Sequence, residues 1–328
     1  MARRYLIVGG AGFIGSHFTD RLLREEGTET VTIYDNFSSG REWHYTGWVG
    51  DARLTVVRGD VREQDRLLDA MRGHEVVIHL ASNPDIARAV TEPAIDFDEG
   101  TALTHAVVEA MRLCQVRTIL YASGSGVYGD LGESEAAEDH GPLIPISTYG
   151  ASKLAGEAMI GAYSFMFGLV GRAFRFGNVV GPRQTHGVGL DFVRCLMAEP
   201  GRLRILGDGR QSKSYIHVTD VVEAVLTALR SETAPYRAYN VATGDYVTVA
   251  EIADMAVEAV GLTPGSVDFE FTGGDRGWKG DVPVVRLNTD RIRSLGWTNH
   301  LTSAEALRSS LEALRRDVER VPHPVTER

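Results

Sequence analysis

The chain has 328 residues, enough for one large domain or two closely joined ones with a substantial apolar core. Its 34 Lys and Arg against 44 Asp and Glu give a formal charge of −10, and without a lysine-rich run this argues against a nucleic-acid-binding surface. No apolar run reaches membrane-spanning length, and Cys114 and Cys195 lack the spacing of a metal site. Because the first residues lead directly into a predicted strand, we expect no signal peptide and a cytoplasmic protein.

Strands and helices alternate through the first half of the chain. The hydrophobic pattern predicts strands over 5–8, 31–34, 54–57, 76–80 and 118–121, and helices over 18–24, 64–71 and about 97–113. This alternation predicts an α/β fold with a doubly wound parallel sheet, whose ligand lies beyond the carboxyl ends of the strands. The last residues, 321–328, are expected to be a disordered tail.

The turn after the first strand carries glycines at the spacing of a dinucleotide-binding loop. Gly9 permits a tight turn, Gly12 lets the backbone approach a pyrophosphate, and Gly15 allows close packing of helix on strand. The phosphates would lie on the free N–H groups at the helix N-terminus. A strand before the glycines and a helix after them support this interpretation.

An acidic residue, Asp35, lies about twenty residues after Gly15, at the end of the second strand. A carboxylate there accepts hydrogen bonds from the ribose hydroxyls and repels a 2′-phosphate. Asn36 follows it, and Arg41 lies a few residues on, so the pattern favours NAD over NADP. The alternative is an Asp that only caps a turn.

A second pair, Tyr149 and Lys153, is spaced to share one face of a helix. An ammonium beside a phenol favours the phenolate, so we expect Lys153 to lower the pKa of Tyr149. Such a tyrosine can take a proton from a sugar hydroxyl while a nicotinamide accepts a hydride.

Further motifs run through nearly the whole chain: Gly9 to Gly15, Tyr34-Asp35-Asn36, Gly59-Asp60-Val61, His79-Leu80-Ala81, Val127-Tyr128-Gly129, Tyr149 to Lys153, Arg175 to Pro182, Tyr215 to Val218 and Tyr239-Asn240-Val241. On these motifs the chain resembles the extended short-chain dehydrogenase/reductase family, in its nucleotide-sugar epimerase and dehydratase branch. Within that branch it looks most like the UDP-glucose 4-epimerase type. The resemblance implies a Rossmann-type sheet with a smaller C-terminal α/β substrate-binding domain.

The resemblance also implies roles for individual residues. Tyr149 would be the acid/base, and Lys153 would hold the nicotinamide ribose. The NAD-binding residues would be Gly9, Gly12, Phe13, Ile14, Gly15, Asp35, Asn36, Asp60, Val61, Leu80, Ala81, Ser82, Ala122, Ser123, Tyr149, Lys153, Phe176 and Val179. For His79, plain core packing is the preferred interpretation, and for Phe176 it remains the alternative.

The chain departs from the family at Gly124, three residues before Val127, where the family usually places a Ser or Thr beside the catalytic tyrosine. Either Ser123 or Ser125 takes that catalytic role, with Ser125 preferred, or the tyrosine works without a hydroxyl partner. Residues 124–126 also lack the Asp and Glu that 4,6-dehydratases carry there, which disfavours dehydration. The nearby acids Glu133, Glu135, Glu138 and Asp139 are expected to form a solvated loop.

The C-terminal third would bind the nucleotide diphosphate. Lys213 occupies the place of a family Arg, as a point cation without its bidentate fork. The expected substrate-binding residues are Ser125, Asn178, Thr185, His186, Lys213, Arg276, Lys279 and Asp281. We expect residues 1–174 with about 212–246 to form the NAD-binding domain, and 175–211 with 247–320 the sugar-nucleotide-binding domain.

The implied reaction is epimerisation of a nucleotide-diphosphate sugar at C4, of the UDP-glucose/UDP-galactose type, by oxidation to a 4-keto sugar, rotation and reduction. The alternatives are a UDP-glucuronate 4-epimerase or decarboxylase, a 4,6-dehydratase, and a silent NAD-binding regulator. NAD is the expected cofactor and a UDP-sugar the expected partner. The family also implies a homodimer, and no metal, membrane or nucleic-acid partner is expected.

Overall fold

The computed structural model describes residues 3–83 and 85–320, except the side chain of Ala87. The expected tail, 321–328, lies outside the described residues. In chain order the strands are β1 Arg3–Val8, β2 Thr28–Asp35, β3 Leu54–Arg58, β4 Val76–His79, β5 Thr118–Gly124, β6 Glu135–Ala136, β7 Val170–Phe176, β8 Asn178–Val180, β9 Arg202–Ile205, β10 Ser212–Lys213, β11 Tyr215–His217, β12 Tyr236–Val241, β13 Val247–Thr248, β14 Asp268–Phe271 and β15 Arg286–Leu287. The α-helices are α1 Phe13–Leu23, α2 Gln64–Met71, α3 Ala102–Cys114, α4 Thr148–Phe167, α5 Val188–Ala198, α6 Val218–Ser231, α7 Val249–Ala259, α8 Asp290–Arg293 and α9 Ser303–Arg320.

A seven-stranded parallel sheet forms the centre of the molecule, in the order β12-β7-β5-β4-β1-β2-β3. The chain reverses its direction across the sheet between β1 and β4. In open sheets of this kind, ligands bind at the carboxyl ends of the strands beside such a reversal. The predicted α/β doubly wound sheet is therefore confirmed.

Helices cover both faces of this sheet. Because side chains alternate along a strand, Ile7 packs toward α1 and α6 while Leu6 packs toward α2, α3 and α4. On the first face, Phe18 of α1 and Val221 of α6 belong to one apolar cluster. The second face has a separate cluster that includes Met111 of α3.

A further apolar cluster lies in the C-terminal half. Leu196 of α5, Ile252 of α7 and Leu307 of α9 pack together there, with β9 and β14 paired beside them. β8 follows directly after β7 and pairs in parallel with β11. This short pair leads from the central sheet to the C-terminal cluster. The residue boundaries of the two domains stay a prediction.

The predicted elements agree with the observed ones except at two helix starts, since α1 begins at Phe13 rather than at residue 18. The helix expected from about residue 97 begins as a π-turn over Phe97–Thr101, and α3 follows it. A Cβ at Gly100 would lie 2.6 Å from Ser152 Oγ, so glycine lets this turn pack closely against α4. Periodicity alone gives no sign of this contact.

Candidate active site

The glycine-rich loop joins β1 to α1. Gly9 has a φ of 83°, which favours glycine, and a Cβ there would lie 2.8 Å from Ala81 N. A Cβ at Gly15 would lie 2.5 Å from the carbonyl oxygen of Gly9. No side chain caps α1 at Gly12, so its first N–H groups can bind a phosphate. Phe13 and Ile14 lie in the first turn of α1. This loop fits the pyrophosphate of a dinucleotide.

Asp35, at the end of β2, is hydrogen-bonded to the glycine-rich loop. Its carboxylate accepts hydrogen bonds from Ala11 N at 2.9 Å and from Phe37 N at 2.7 Å. Burial raises the pKa of Asp35, and these two N–H donors oppose that rise. Each carboxylate oxygen of Asp35 can accept another hydrogen bond. Asp35 can therefore cap the turn and still accept hydrogen bonds from a ribose.

Asn36 and Asp60 meet at the neighbouring strand ends. The Asn36 side chain donates to Asp60 Oδ2 at 3.1 Å, and Arg62 pairs with the same oxygen at 2.7 Å. The hydrogen bonds from Arg62 hold the pKa of Asp60 well below its usual range. Val61 is buried beside them. Sequence reasoning missed Arg62, which carries no motif signal.

The remaining residues expected to bind NAD lie around the carboxyl ends of β4, β5 and β7. Leu80, Ala81 and Ser82 follow β4, Ala122 lies in β5, Phe176 ends β7, and Val179 lies in β8. Phe176 is 7% exposed and stacks on Phe174, so its contact with a nicotinamide stays a prediction. The preferred interpretation of His79 is confirmed, because its ring is buried and its Nε2 lies 3.1 Å from Thr104 Oγ1.

Tyr149 and Lys153 lie in the first two turns of α4, against β5. Ser147 caps this helix by accepting a hydrogen bond from Gly150 N. The Lys153 ammonium donates to the Ala122 carbonyl at 2.8 Å and lies 5.3 Å from the centre of the Tyr149 ring. The structure therefore brings the predicted pair together.

Burial opposes the expected lowering of the Tyr149 pKa by Lys153, and the roles of the pair stay a prediction. Burial raises the pKa of Tyr149 to about 12, a hydrogen bond with Ser82 opposes the rise, and the charge of Asp96 adds to it. Burial also lowers the pKa of Lys153 to about 8, against the opposing charge of Asp96. The ammonium points to the Ala122 carbonyl, and the phenol is partly buried, which disfavours its charged form.

Ser123, Gly124 and Ser125 lie where the family places its Ser or Thr hydroxyl, and their surroundings differ. The Ser123 hydroxyl donates to buried Glu157 at 2.6 Å, and its expected part in catalysis or NAD binding stays a prediction. A Cβ at Gly124 would meet no atom within 4 Å, so this residue faces open space. Ser125 begins a short 3₁₀ turn and is partly exposed, and its role stays a prediction.

Three of the predicted substrate-binding residues form one cluster. Lys213 pairs with Asp281 at 2.6 Å, and the guanidinium of Arg276 donates to the Asp281 carbonyl and to Asp130. Lys279 is exposed in the same loop. The two segments expected to bind a diphosphate therefore converge, although their charges are paired with carboxylates.

Asn178, Thr185 and His186 follow β7 toward the C-terminal half. The Asn178 side chain is exposed at the start of β8. The Thr185 hydroxyl and His186 Nδ1 are 3.2 Å apart. Their contact with a substrate stays a prediction.

One expectation about the nearby acids is wrong. Glu138 is 3% exposed in its side chain, where it accepts from Asn240 N and pairs with Arg291. It is therefore part of the packed structure, whereas Glu133 is 78% exposed. The ion pair and backbone donor offset the cost of burying this carboxylate.

Metal sites and membrane-spanning helices were also sought among the described residues. No group of three or more His, Cys, Asp and Glu side chains in residues 3–83 and 85–320 could hold a metal ion. Within the same residues, no helix is long and apolar enough to cross a membrane.

Fold and site together define a dinucleotide-dependent enzyme with a Tyr-Lys pair. The NAD dependent epimerase/dehydratase family matches residues 5–242, and the chain belongs to this family. It is therefore an NAD-dependent enzyme of the epimerase type.

Individual members of such families are similar to this chain over nearly its whole length. The UDP-glucose 4-epimerase of Mycolicibacterium smegmatis is 33% identical over 320 residues, which span 95% of this chain and 98% of that protein. A crystal structure of a UDP-galactose 4-epimerase is 37% identical, with a TM-score of 0.85 over 96% of this chain and 99% of that one. A dTDP-glucose 4,6-dehydratase from Streptomyces venezuelae, with NAD bound, is 26% identical with a TM-score of 0.89 over 98% of this chain and all of that one (100%).

Proposed function

We propose that the protein interconverts UDP-glucose and UDP-galactose, or a closely similar UDP-sugar pair, by epimerisation at C4. Tyr149 takes the proton of the C4 hydroxyl and later returns it to the C4 oxygen, after the 4-keto sugar has turned to present its opposite face. Bound NAD would supply a reversible acceptor for the C4 hydride, so the reaction would involve no net oxidation. Lys153 would hold the cofactor ribose beside the Ala122 carbonyl.

The observation that carries this proposal is the pair of partly buried Tyr149 and buried Lys153 beside an open, uncharged segment. A Cβ at Gly124 would meet nothing within 4 Å, and residues 124–126 contain no carboxylate. Dehydration needs an acid and a base to remove water, whereas epimerisation needs only the tyrosine and room for the sugar to turn. The names of the epimerase relatives support the same choice.

For the nucleotide half we propose the cluster of Lys213, Arg276 and Asp281. Lys213 and Arg276 would turn from their carboxylate partners to the diphosphate, and Asp281 would accept from a ribose hydroxyl. Lys279, Asn178, Thr185 and His186 would complete the contacts. Ser125 remains a candidate contact for the sugar.

The test is incubation of purified protein with UDP-glucose, UDP-galactose, UDP-glucuronate and dTDP-glucose, without added NAD, followed by chromatography with mass detection. An isobaric product from a UDP-hexose, lost in Tyr149→Phe, is the expected result. A product lighter by water or carbon dioxide would replace the proposal with dehydration or decarboxylation. No product from any sugar would contradict it and favour an NAD-binding regulator.

We also propose a cytoplasmic homodimer. The C-terminal turn of α4 exposes Phe165 at 76% and Met166 at 71%, and Leu113 of α3 is also exposed. A second copy covering these side chains would remove them from water. Sedimentation should give a dimer for the native protein and a monomer for Phe165→Glu, and a native monomer would contradict the proposal. The free thiols Cys114 and Cys195 accord with a reducing compartment.

A further inference from the structure

Residues 273–281, which follow β14, form a segment that we call the strap. At its start, Gly273 N donates to the Gly207 carbonyl at 3.0 Å. At its end, Asp281 is 6% exposed and pairs with Lys213 at 2.6 Å. The strap is therefore fixed at both ends beside the cluster proposed to bind the diphosphate.

The second half of the strap is a turn bonded to itself. Asp281 Oδ2 accepts from Gly277 N at 3.1 Å, and Asp281 N donates to the Trp278 carbonyl at 3.1 Å. The Arg276 guanidinium donates to the Asp281 carbonyl. Before this turn, Gly273 and Gly274 have φ angles of 80° and 84°, and a Cβ at either would meet no described atom within 4 Å. A movement of the turn as a unit would therefore occur at these two glycines.

One ion pair joins the strap to the half of the molecule that holds the central sheet. Arg276 Nη2 lies 2.6 Å from Oδ2 of Asp130, which follows the 3₁₀ turn after β5. A Cβ at Gly280 would lie 3.4 Å from the Cβ of Ser147, the residue that caps α4. The strap thus packs against the start of the helix that carries Tyr149.

We propose that the Arg276–Asp130 pair is a latch, which holds the strap in the unliganded protein and which a nucleotide diphosphate releases by taking Arg276. Asp130 and the diphosphate are both anionic, and they compete for the same guanidinium. The ligand's identity rests on the proposed function, whereas the latch rests on the observed contacts. Asp130 therefore sets the affinity for the nucleotide without binding it.

The environment of the pair favours this exchange. The side chains of Arg276 and Asp130 are 35% and 28% exposed, and a pair of such exposure changes an equilibrium by only about 5-fold or less. A diphosphate offers several anionic oxygens and suits the bidentate geometry of a guanidinium. Asp130 Oδ1 also accepts from Gly132 N at 3.1 Å, so its carboxylate keeps a protein partner after Arg276 leaves.

The first experiment measures the Kd of UDP by calorimetry in the native protein, Asp130→Asn and Asp275→Asn. Because the competing carboxylate is gone, Asp130→Asn should lower the Kd about 2- to 5-fold. The matched control is Asp275→Asn, which removes one charge 3.9 Å from Arg276 Nε but within the strap, from a side chain that is 79% exposed. Its Kd should stay nearer the native value.

Two results would overturn the latch in this experiment. Equal shifts in the two variants would mean that UDP responds only to the local charge. Weaker binding in Asp130→Asn would mean that Asp130 positions Arg276 in the complex. A double-variant test adds a further requirement: in an Arg276→Ala background, Asp130→Asn should leave the Kd unchanged, and the same gain as before would contradict the proposal.

The second experiment needs no ligand. Hydrogen exchange with mass detection reports how often the backbone N–H groups of residues 273–281 open to solvent. In unliganded Asp130→Asn this exchange should be faster by the same factor as the change in Kd, because both measure the latched fraction. Native exchange in the rest of the chain would show that the variant folds.

The two experiments separate the latch from the proposed function. Native exchange of the strap in Asp130→Asn would overturn the latch even if the protein binds UDP and epimerises UDP-sugars. Faster exchange in a protein that neither binds UDP nor converts UDP-sugars would uphold the latch and reject only the proposed function.

Discussion

Several single residues around the candidate site hold the fold together. Arg175 and Glu157 form a bidentate ion pair with side chains 5% and 4% exposed, and Arg175 also donates to Tyr128. Ser123 completes the hydrogen bonds of Glu157 from β5. Breaking such a pair is costly because it leaves a buried charge without its partner. We therefore expect this network to support the wall of the candidate site from within the fold.

The Ser123→Ala variant tests that assignment. Removing the hydroxyl leaves Glu157 with one donor fewer, so the free energy of unfolding should fall by about 1–3 kcal/mol. The kcat of UDP-sugar interconversion should stay native, because Tyr149 is not contacted. Urea unfolding and steady-state kinetics measure the two effects. A large loss of kcat with native stability would return Ser123 to catalysis.

At the scale of elements, a short 3₁₀ turn over Glu42–His44 supports the glycine-rich loop from outside the sheet. His44 is 2% exposed, and its Nδ1 donates to the Ala11 carbonyl at 2.8 Å. Burial lowers the pKa of His44 to about 4. The neutral imidazole is therefore the form that the folded loop holds.

This burial makes stability depend on pH. The unfolded imidazole has its ordinary pKa of about 6.5, so between that pH and about 4 the unfolded chain binds more protons than the folded one. The free energy of unfolding should fall with decreasing pH by up to about 1.4 kcal/mol per pH unit from this residue. His44→Gln should reduce the slope of unfolding free energy between about pH 7 and about pH 5, measured by urea titration. An unchanged slope would contradict the assignment.

Local patterns predicted most elements of this fold, but few of its long-range contacts. The alternation of apolar residues and the glycine spacing were sufficient for β1, α1 and β2, because these depend on neighbours in the chain. The contact of Asp96 with Asn83 and Thr148 joins three separate segments, and no periodicity encodes it. The same holds for Glu138, which sequence placed in solvent and which Arg291 and Asn240 hold inside.

At the scale of the whole molecule, Arg183 connects the glycine-rich loop to the C-terminal half. It follows β8 with a φ of 66°, and its backbone N–H donates to Asp317 of α9 at 2.9 Å. Its guanidinium donates to Asp20 of α1 at 2.6 Å and to the His44 carbonyl at 2.6 Å. One side chain thus fixes both α1 and the turn that supports the loop.

Arg183→Ala should therefore affect stability and cofactor retention together. Loss of these hydrogen bonds leaves partly buried Asp20 without its cation, so the free energy of unfolding should fall by about 2–4 kcal/mol. Bound NAD, measured by absorbance after gel filtration, should fall as well, because the His44 turn would no longer be fixed against the loop. The matched control is Arg308→Ala, whose ion pair with Glu258 joins α9 to α7 with both side chains about half exposed. An exposed pair contributes about 1 kcal/mol or less, so this variant should keep its NAD. Equal losses in the two variants would show that Arg183 acts only as another surface charge.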